Sequence, residues 1–198
     1  RTFFDNISSE IFMLEKLNKI AEELEKSGFV LEENATENDI LTYRIEKRPL
    51  KNPTWESVNA IVKIEGKNDT LLQHATNRNM IALNSYSTPK DGVSAEVIYV
   101  RDLEKIADLD VKGKIVFAET SPYGIYKSAI IEGKAAGIIT YNNPSYLQPE
   151  KNTTSIQFRS IPLDTVNKSW AIAMSFAAKE RLKASLEKGK TTLKVHIK

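Results

Sequence analysis

Two short apolar runs, with a stretch of helical character between them, constrain the fold of this chain more than any other feature. Residues 115–118 (IVFA) and residues 137–141 (GIITY) carry no charge, and such runs are typical of strands that are buried on both faces of a sheet. The intervening residues 126–136 suit a helix. Two strands joined by one helix form a parallel β-α-β unit, whose crossover is right-handed in almost every known case. The sequence therefore predicts an α/β fold.

The other predicted elements surround this unit. Apolar residues alternate with polar ones or form short runs, which indicates strands, at residues 41–46, 58–64, 95–100, 171–174 and 193–197. The first two of these are expected to pair with each other as antiparallel strands. Short helices are expected at residues 103–109 and 176–188, the latter closed by Gly189. Residues 67–91, which are rich in Asn, Thr and Ser, are predicted to form a long irregular connection.

The N-terminal segment favours one amphipathic helix. Its apolar side chains recur at steps of three and four residues, at Ile11, Leu14, Leu17, Ala21 and Leu24. Ser8 or Ser9 is expected to cap its start. Gly28 is expected to end the helix in the left-handed backbone conformation. Such an apolar stripe must pack against another surface. The sequence leaves open whether that surface is the core of this chain or a partner domain.

Composition excludes several classes of protein. A net charge of +2 over 198 residues lacks the clustered basic excess that a dedicated nucleic-acid binder needs. The chain contains no cysteine, so it has neither disulfides nor thiolate nucleophiles. No apolar run approaches the roughly 20 residues that a membrane helix requires. Asn-x-Ser/Thr triplets, the acceptor sequences of N-linked glycans, favour an extracellular or cell-surface location; they begin at Asn6, Asn34, Asn68, Asn152 and Asn167.

The sequence offers no active site of its own. His74 and His196 are its two histidines, and neither has a carboxylate two or four residues away, as a zinc site usually requires. The pair Glu22 and Glu23 is expected on the solvated side of the N-terminal helix. Gly-x-Ser-x-Gly, Gly-x-Gly-x-x-Gly and Walker patterns do not occur. We therefore assign no catalytic residue, no metal ligand and no cofactor to this chain.

A binding surface is predicted instead. The connections 119–127 and 141–146 follow the carboxyl ends of the two apolar strands, and open parallel sheets bind ligands outside those ends. Their amphipathic side chains are candidate contacts for a peptide substrate, namely Tyr123, Tyr126, Asn142, Asn143 and Tyr146. Tyrosine and asparagine are also common loop residues, so a purely structural role remains the alternative.

Part of the sequence resembles the protease-associated domain. The residues that carry the resemblance are 110–116 (DVKGKIV) and 130–142 (IIEGKAAGIITYN), followed by the closing helix and strand from residue 182 onward. The likeness covers roughly residues 95–198, and it implies a mixed sheet or open barrel with flanking helices. Lys134 departs from the family, which commonly has glycine there, so the helix is expected to end differently.

The preceding residues resemble the opening of secreted zinc exopeptidases. Residues 21–29 (AEELEKSGF) and 85–100 (SYSTPKDGVSAEVIYV) carry this likeness to aminopeptidases and glutamate carboxypeptidases, with the transferrin receptor ectodomain as a non-catalytic relative. The resemblance implies two parts, residues 1–40 as the start of a peptidase domain and residues 41–198 as the protease-associated insert. It also implies that the chain stops before the residues that bind zinc.

What the resemblance implies is a non-catalytic lid that shapes substrate access in a zinc exopeptidase. Its expected partners are the rest of the peptidase domain, a peptide substrate and a second copy through the parent protein. Glutamate carboxypeptidases grip acidic substrates with an arginine in the strand-to-helix connection, where this chain has Tyr123, which favours a neutral or apolar peptide end. The alternative is a stand-alone interaction module of the kind found in sorting receptors.

Overall fold

A computed structural model describes residues 6–46, 55–67 and 69–198 of the chain. The described residues fall into two compact units, one within residues 2–54 and one within residues 55–198. The predicted assignment of residues 1–40 to a peptidase domain and of residues 41–198 to an insert stays a prediction. Within the described ranges, no helix is both long and apolar enough to cross a membrane.

The first unit contains one long helix and a small parallel sheet. Helix α1 spans Asn6–Lys26, and Gly28 follows it with φ of +89°, as the sequence predicts for a helix end. Strands β1 (Val30–Leu31) and β2 (Thr42–Tyr43) pair in parallel. The prediction that Ser8 or Ser9 caps the helix is wrong, because both lie inside it. Several apolar side chains of this unit are exposed, among them Leu14, Leu17, Ile20, Leu41 and Ile45.

The second unit is built on a seven-stranded mixed sheet. Its strands are β3 (Ala60–Ile64), β4 (Asp69–Gln73), β5 (Val93–Val100), β6 (Ile115–Ala118), β7 (Gly137–Thr140), β8 (Ala171–Ala173) and β9 (Thr192–Ile197). They lie in the order β4-β3-β9-β5-β6-β7-β8. Strands β5 to β8 run parallel, and β9 joins them to the β3–β4 hairpin through antiparallel pairs. The predicted α/β fold with a mixed sheet and a parallel β-α-β unit is confirmed.

Two predictions about strands are wrong. The segments 41–46 and 58–64 do not pair with each other, since β2 pairs with β1 and β3 pairs with β4 and β9. Alternation along a strand reveals that one face is buried, but it does not identify the neighbouring strand. The predicted irregular connection 67–91 contains strand β4. A register shift in the β3–β4 pair lets Leu71 and Leu72 both be buried, so the alternation that marks a strand is lost.

Two helices of the second unit begin at the predicted residues 103 and 176 and end one or two residues early, whereas the helix between β6 and β7 begins and ends earlier than predicted. Helix α2 spans Pro122–Tyr126 and continues as a π-helical turn over Lys127–Glu132, earlier than the predicted 126–136, because proline suits the first turn of a helix. Lys134 then adopts φ of +53°, the left-handed conformation for which the protease-associated family uses glycine. Leu103–Asp108 is a 3₁₀ helix. Helix α3 spans Phe176–Leu186, and the Ser175 side chain caps its start.

The parallel strands separate two apolar clusters. In β6, Ile115 and Phe117 belong to one buried cluster, whereas Val116 and Ala118 belong to the other. Successive side chains of a strand point to opposite faces, so a strand without polar residues is covered on both sides. This is the reason the continuous apolar runs predicted β6 and β7. The central parallel strands therefore form a rigid support for the loops at their ends.

Candidate functional site

The carboxyl ends of the four parallel strands lie in register at one edge of the sheet. Val100 pairs with Ala118, Ala118 with Thr140 and Thr140 with Ala173. The residues that follow are Arg101, Glu119, Tyr141 and Met174. Two segments leave this edge, residues 119–123 and residues 141–152, which we call the edge loops. The sequence predicts its binding surface at residues 119–127 and 141–146, which overlap these loops, at the place where open parallel sheets bind ligands.

The structure places the predicted contact residues at different depths. Tyr123 is 60% exposed and Tyr146 is 78% exposed, while Asn142 is exposed and Asn143 is partly buried. Tyr126 is only 1% exposed, so its ring lies beneath the surface in this conformation. The surface residues fall on the two edge loops, which follow neighbouring strands. Their role as substrate contacts stays a prediction.

Tyr126 supports a neighbouring loop from below. Its hydroxyl donates to Asp164 Oδ2 at 3.1 Å, and burial raises the pKa of Tyr126. Asp164 also accepts the backbone N–H groups of Val166 and Asn167, each at 2.9 Å. The hydrogen bonds from Asn167 hold the pKa of Asp164 below its ordinary value. Tyr126 therefore joins helix α2 to the turn at residues 164–167.

The second edge loop is held in one conformation by side-chain bonds to backbone carbonyls. Asn143 Nδ2 donates to the Ser155 carbonyl at 2.9 Å, and Asn152 Nδ2 donates to the Leu147 carbonyl at 2.8 Å. Arg159 donates to the Asn142 carbonyl. The bonds from Asn143 and Arg159 tie residues 141–152 to the segment 155–159, and the bond from Asn152 closes the loop on itself.

Segment 155–159 adds a residue that the sequence reasoning missed. Phe158 is 59% exposed, although phenylalanine is usually buried. Its neighbour Arg159 reaches the start of the second edge loop. Nothing in the local sequence pattern marks Phe158 as exposed, since its exposure depends on where the loop is anchored.

A charged and aromatic cluster, also missed by the sequence reasoning, lies beside the edge loops. Glu119 accepts a hydrogen bond from the Tyr99 hydroxyl and one from Lys183 Nζ at 3.0 Å. Lys179 Nζ lies 3.7 Å from Glu119 Oε2. The signal that could have found this cluster is the spacing of Lys179 and Lys183, which places both on one face of α3. We call Tyr99, Glu119, Lys179 and Lys183 the Glu119 cluster.

Lys179 is the most buried charge of this cluster. The residue is 7% exposed, and its ammonium lies 4.6 Å from the centre of the Tyr141 ring and 4.5 Å from that of Phe176. It also pairs with Glu180 at 2.7 Å. A buried ammonium requires such compensation, because unpaired charges are costly in the protein interior. Lys179 thus connects α3 to the first residue of each edge loop, Glu119 and Tyr141.

The electrostatics of Glu119 are set by its neighbours. Partial burial raises the pKa of this carboxyl, but the hydrogen bonds from Tyr99 and Lys183 and the charge of Lys179 outweigh burial and hold the pKa below its ordinary value of about 4.5. Glu119 is therefore ionised and fully engaged at neutral pH. These contacts hold the edge loops in position. They differ from the environment of a general base, whose carboxylate must be able to accept a proton from a substrate.

Replacing Glu119 with glutamine is expected to destabilise the protein at neutral pH by about 1–2 kcal/mol, because two lysines lose a charged partner. The folded state lowers the pKa of Glu119, so its contribution is complete above the unfolded pKa and is lost as the pH falls through the folded pKa. Urea unfolding should therefore show that the difference in the free energy of unfolding between wild type and Glu119→Gln becomes smaller from pH 7 to pH 3. The control Glu150→Gln changes an exposed carboxylate near the same edge and should leave stability nearly unchanged. A wild-type advantage that is constant with pH would contradict this account.

The described residues contain no group of three His, Cys, Asp or Glu side chains arranged to hold a metal ion. His74 instead shares a hydrogen bond with Ser57 at 3.0 Å. A cavity of about 310 Å³ lies elsewhere in the second unit, lined in part by Val111, Ser128 and Gly133. It includes neither edge loop.

Comparisons with known proteins show what the fold is similar to. No family model matches the sequence, and no curated protein matches it. Among solved structures, a peptidase M28 precursor from Shewanella amazonensis SB2B aligns with a TM-score of 0.52 at 15% identity, over 73% of this chain and 35% of that one. The chain thus spans about a third of the length of that structure. This likeness shows a shared fold.

Two further solved structures align less well. An aminopeptidase from Aneurinibacillus sp. strain AM-1 aligns over 72% of this chain and 31% of its own, at 20% identity and a TM-score of 0.47. A zinc aminopeptidase from Bacillus subtilis aligns over 72% of this chain and 32% of its own, at 20% identity and a TM-score of 0.43.

Proposed function

We propose that this chain is a non-catalytic accessory region of a secreted zinc exopeptidase, in which a protease-associated domain controls how peptides reach the active site. The observation that carries the proposal is the fold shared with one part of an M28 peptidase precursor, of which this chain spans 35%. The edge loops support it, because they present exposed aromatic rings on a fixed backbone. Aromatic side chains contribute large contact areas to peptide binding at little entropic cost.

The edge loops would form one wall of a cleft that is completed by residues outside this chain. Tyr123, Tyr146 and Phe158 expose more than half of their surface, whereas the Glu119 cluster keeps the loops in place from within. A wall of this kind contributes to substrate binding and excludes poorly fitting substrates by contact. It takes no part in bond breaking, so its residues should affect binding more than turnover.

Zinc chemistry does not fit the described residues of this chain, which lack a suitable cluster of ligands. The metal of the proposed parent enzyme would therefore be held by residues outside the chain, and we derive no step of hydrolysis here. The first unit presents apolar surface that a further part of the proposed parent protein would cover. A cavity of about 510 Å³ opens between α1 and its small sheet, lined by Leu14, Leu17 and Ile45 among others. A parallel sheet of two short strands gains stability only as part of a larger packed structure.

The proposal is tested by kinetics of the parent protein encoded by the complete gene. Replacing Tyr146 or Phe158 with serine should raise KM for a peptide substrate by about fivefold or more, because truncating an aromatic residue that anchors a contact costs about 1 kcal/mol or more. The value of kcat should change less than about twofold, since the contact is equally present in ground and transition states. The control Val166→Ser removes an apolar side chain that is 87% exposed on the turn at residues 164–167, and it should behave as wild type. Unchanged KM in both the Tyr146 and the Phe158 variants would contradict the role in substrate access.

A further inference from the structure

The outer face of the antiparallel strands carries two lysines directly opposite each other. In β3 and β9, Val62 and Val195 belong to the buried core, so the residues that alternate with them point to the other face of the sheet. Lys63 and Lys194 are exposed on this face, and they are partners in the register of the two strands. Side chains in such positions have Cβ atoms about 5 Å apart, and like charges there destabilise a sheet.

Carboxylates of the chain compensate this repulsion poorly. Among the side chains that the structure describes, no carboxylate lies within ion-pair distance of Lys63 or Lys194. Glu65 accepts a hydrogen bond from Ser94 at 3.0 Å. Since Ser94 is the register partner of Lys194 in β5, Glu65 acts on that lysine from beyond ion-pair distance. Glu96 is shared by two other lysines, at 3.8 and 3.7 Å. A negatively charged ligand would supply the missing compensation.

His196 extends this surface along β9. It lies two residues after Lys194 in the strand, so it is on the same face and about 7 Å further along. Its imidazole is partly buried and has no hydrogen-bond partner in the described part of the chain. Gly92 lies beside it and presents no side chain there. A neutral imidazole has one N–H donor. We call Lys63, Lys194 and His196 the basic face.

We propose that the basic face docks an acidic segment of a partner protein. An extended peptide with Asp or Glu at alternate positions repeats its carboxylates about every 7 Å on one side, which matches the spacing of Lys194 and His196. A single phosphate group has no such repeat. Strands β3 and β9 lie on the other side of β5 from β6 and β7, which carry the edge loops. Docking at the basic face is therefore independent of the proposed role in substrate access.

Docking is tested by NMR titration of the isotope-labelled chain with two matched peptides. Acetyl-Thr-Glu-Thr-Glu-Thr-amide carries carboxylates at alternate positions, and acetyl-Thr-Gln-Thr-Gln-Thr-amide carries none. We expect the acidic peptide to bind about fivefold more tightly at about 20 mM salt, with chemical-shift changes at residues 61–63 and 194–196. Equal binding of the two peptides would overturn the proposal. Tighter binding of inorganic phosphate, or of phosphatidylserine vesicles, than of the acidic peptide would also overturn it.

Paired variants separate the basic face from the net charge of the chain. The double variant Lys63→Gln with Lys194→Gln should remove the preference for the acidic peptide. The matched double variant Lys112→Gln with Lys151→Gln removes the same charge at two exposed positions elsewhere. It should keep the preference within about twofold, because surface charges act only weakly at a distance. An equal loss of the preference in both double variants would contradict docking at the basic face.

Thermal unfolding tests whether the facing lysines serve binding or stability. Lys63→Gln relieves the repulsion with Lys194, so it should raise Tm by about 1–2 °C while it weakens binding of the acidic peptide. Residues kept for binding often lower the stability of the fold. A lower Tm in Lys63→Gln would show that the lysine stabilises the sheet, and it would overturn the proposal.

Discussion

Replacing Phe117 with alanine is expected to lower the free energy of unfolding by about 3–5 kcal/mol, the usual cost of deleting a buried aromatic ring. Phe117 lies in the middle of the parallel strands and has no exposed surface. Its ring stacks on that of Tyr99 with 4.7 Å between their centres. Removal of the ring leaves a cavity that the neighbouring strands are too rigid to close. It also removes the support beneath Tyr99, whose hydroxyl binds Glu119.

Urea unfolding followed by circular dichroism measures this loss directly. Phe158→Ala provides the matched control, because it deletes the same side chain at an exposed position, and it should change stability by less than about 0.5 kcal/mol. The Phe117→Ala variant should also weaken the protection of the edge loops against hydrogen exchange, since Tyr99 no longer fixes Glu119. If the two variants lost similar amounts of stability, the assignment of the core would be wrong.

Gly137→Ala should destabilise the protein by about 2–3 kcal/mol through overpacking. A Cβ atom at this position would lie 2.3 Å from ring atoms of Trp170. Trp170 is itself buried, so its ring cannot move into solvent to make room. The glycine at the start of β7 therefore reflects close packing of the tryptophan against the strand.

A second glycine provides the control for this prediction. Gly124 lies in α2, and an alanine methyl group there would meet no atom within 4 Å, so Gly124→Ala should stabilise the helix by about 0.5–1 kcal/mol. The double variant Gly137→Ala with Trp170→Leu should lose less stability than the sum of the two single variants, because the clash is shared. Thermal unfolding of these variants and of the wild type measures the effects. Additive losses would contradict the proposed contact.

The parallel part of the fold was predictable because burial on both faces leaves an unmistakable pattern in the sequence. Residues 115–118 and 137–140 are wholly apolar or small, apart from Thr140, and they form β6 and β7. The alternation at residues 193–197 likewise predicted β9, whose Leu193, Val195 and Ile197 are buried. In each case one local pattern determined the element. Pairing between distant strands has no such local signal, and the predicted partner of residues 41–46 was wrong for that reason.

The sequence predicted where the candidate site lies in the fold. It predicted only some of the residues that form the site. The position of the edge loops follows from the parallel strands, whose carboxyl ends lie side by side. The burial of Tyr126 was not predictable, because it depends on the distant residue Asp164. Lys179 was missed because a lysine in a helix is ordinarily solvated, whereas here two rings and two carboxylates surround it. Contacts that join distant segments require the folded structure.

A peptidase assay tests the proposal that this chain is the non-catalytic part of a zinc exopeptidase. The chain alone and the protein encoded by the complete gene would be compared on a panel of short peptides, with release of terminal amino acids as the readout. We expect the complete protein to release a terminal residue, to lose this activity with a chelator and to regain it with zinc, while the chain alone is inactive. A complete protein without zinc-dependent release of terminal residues, or hydrolysis by the chain alone, would contradict it.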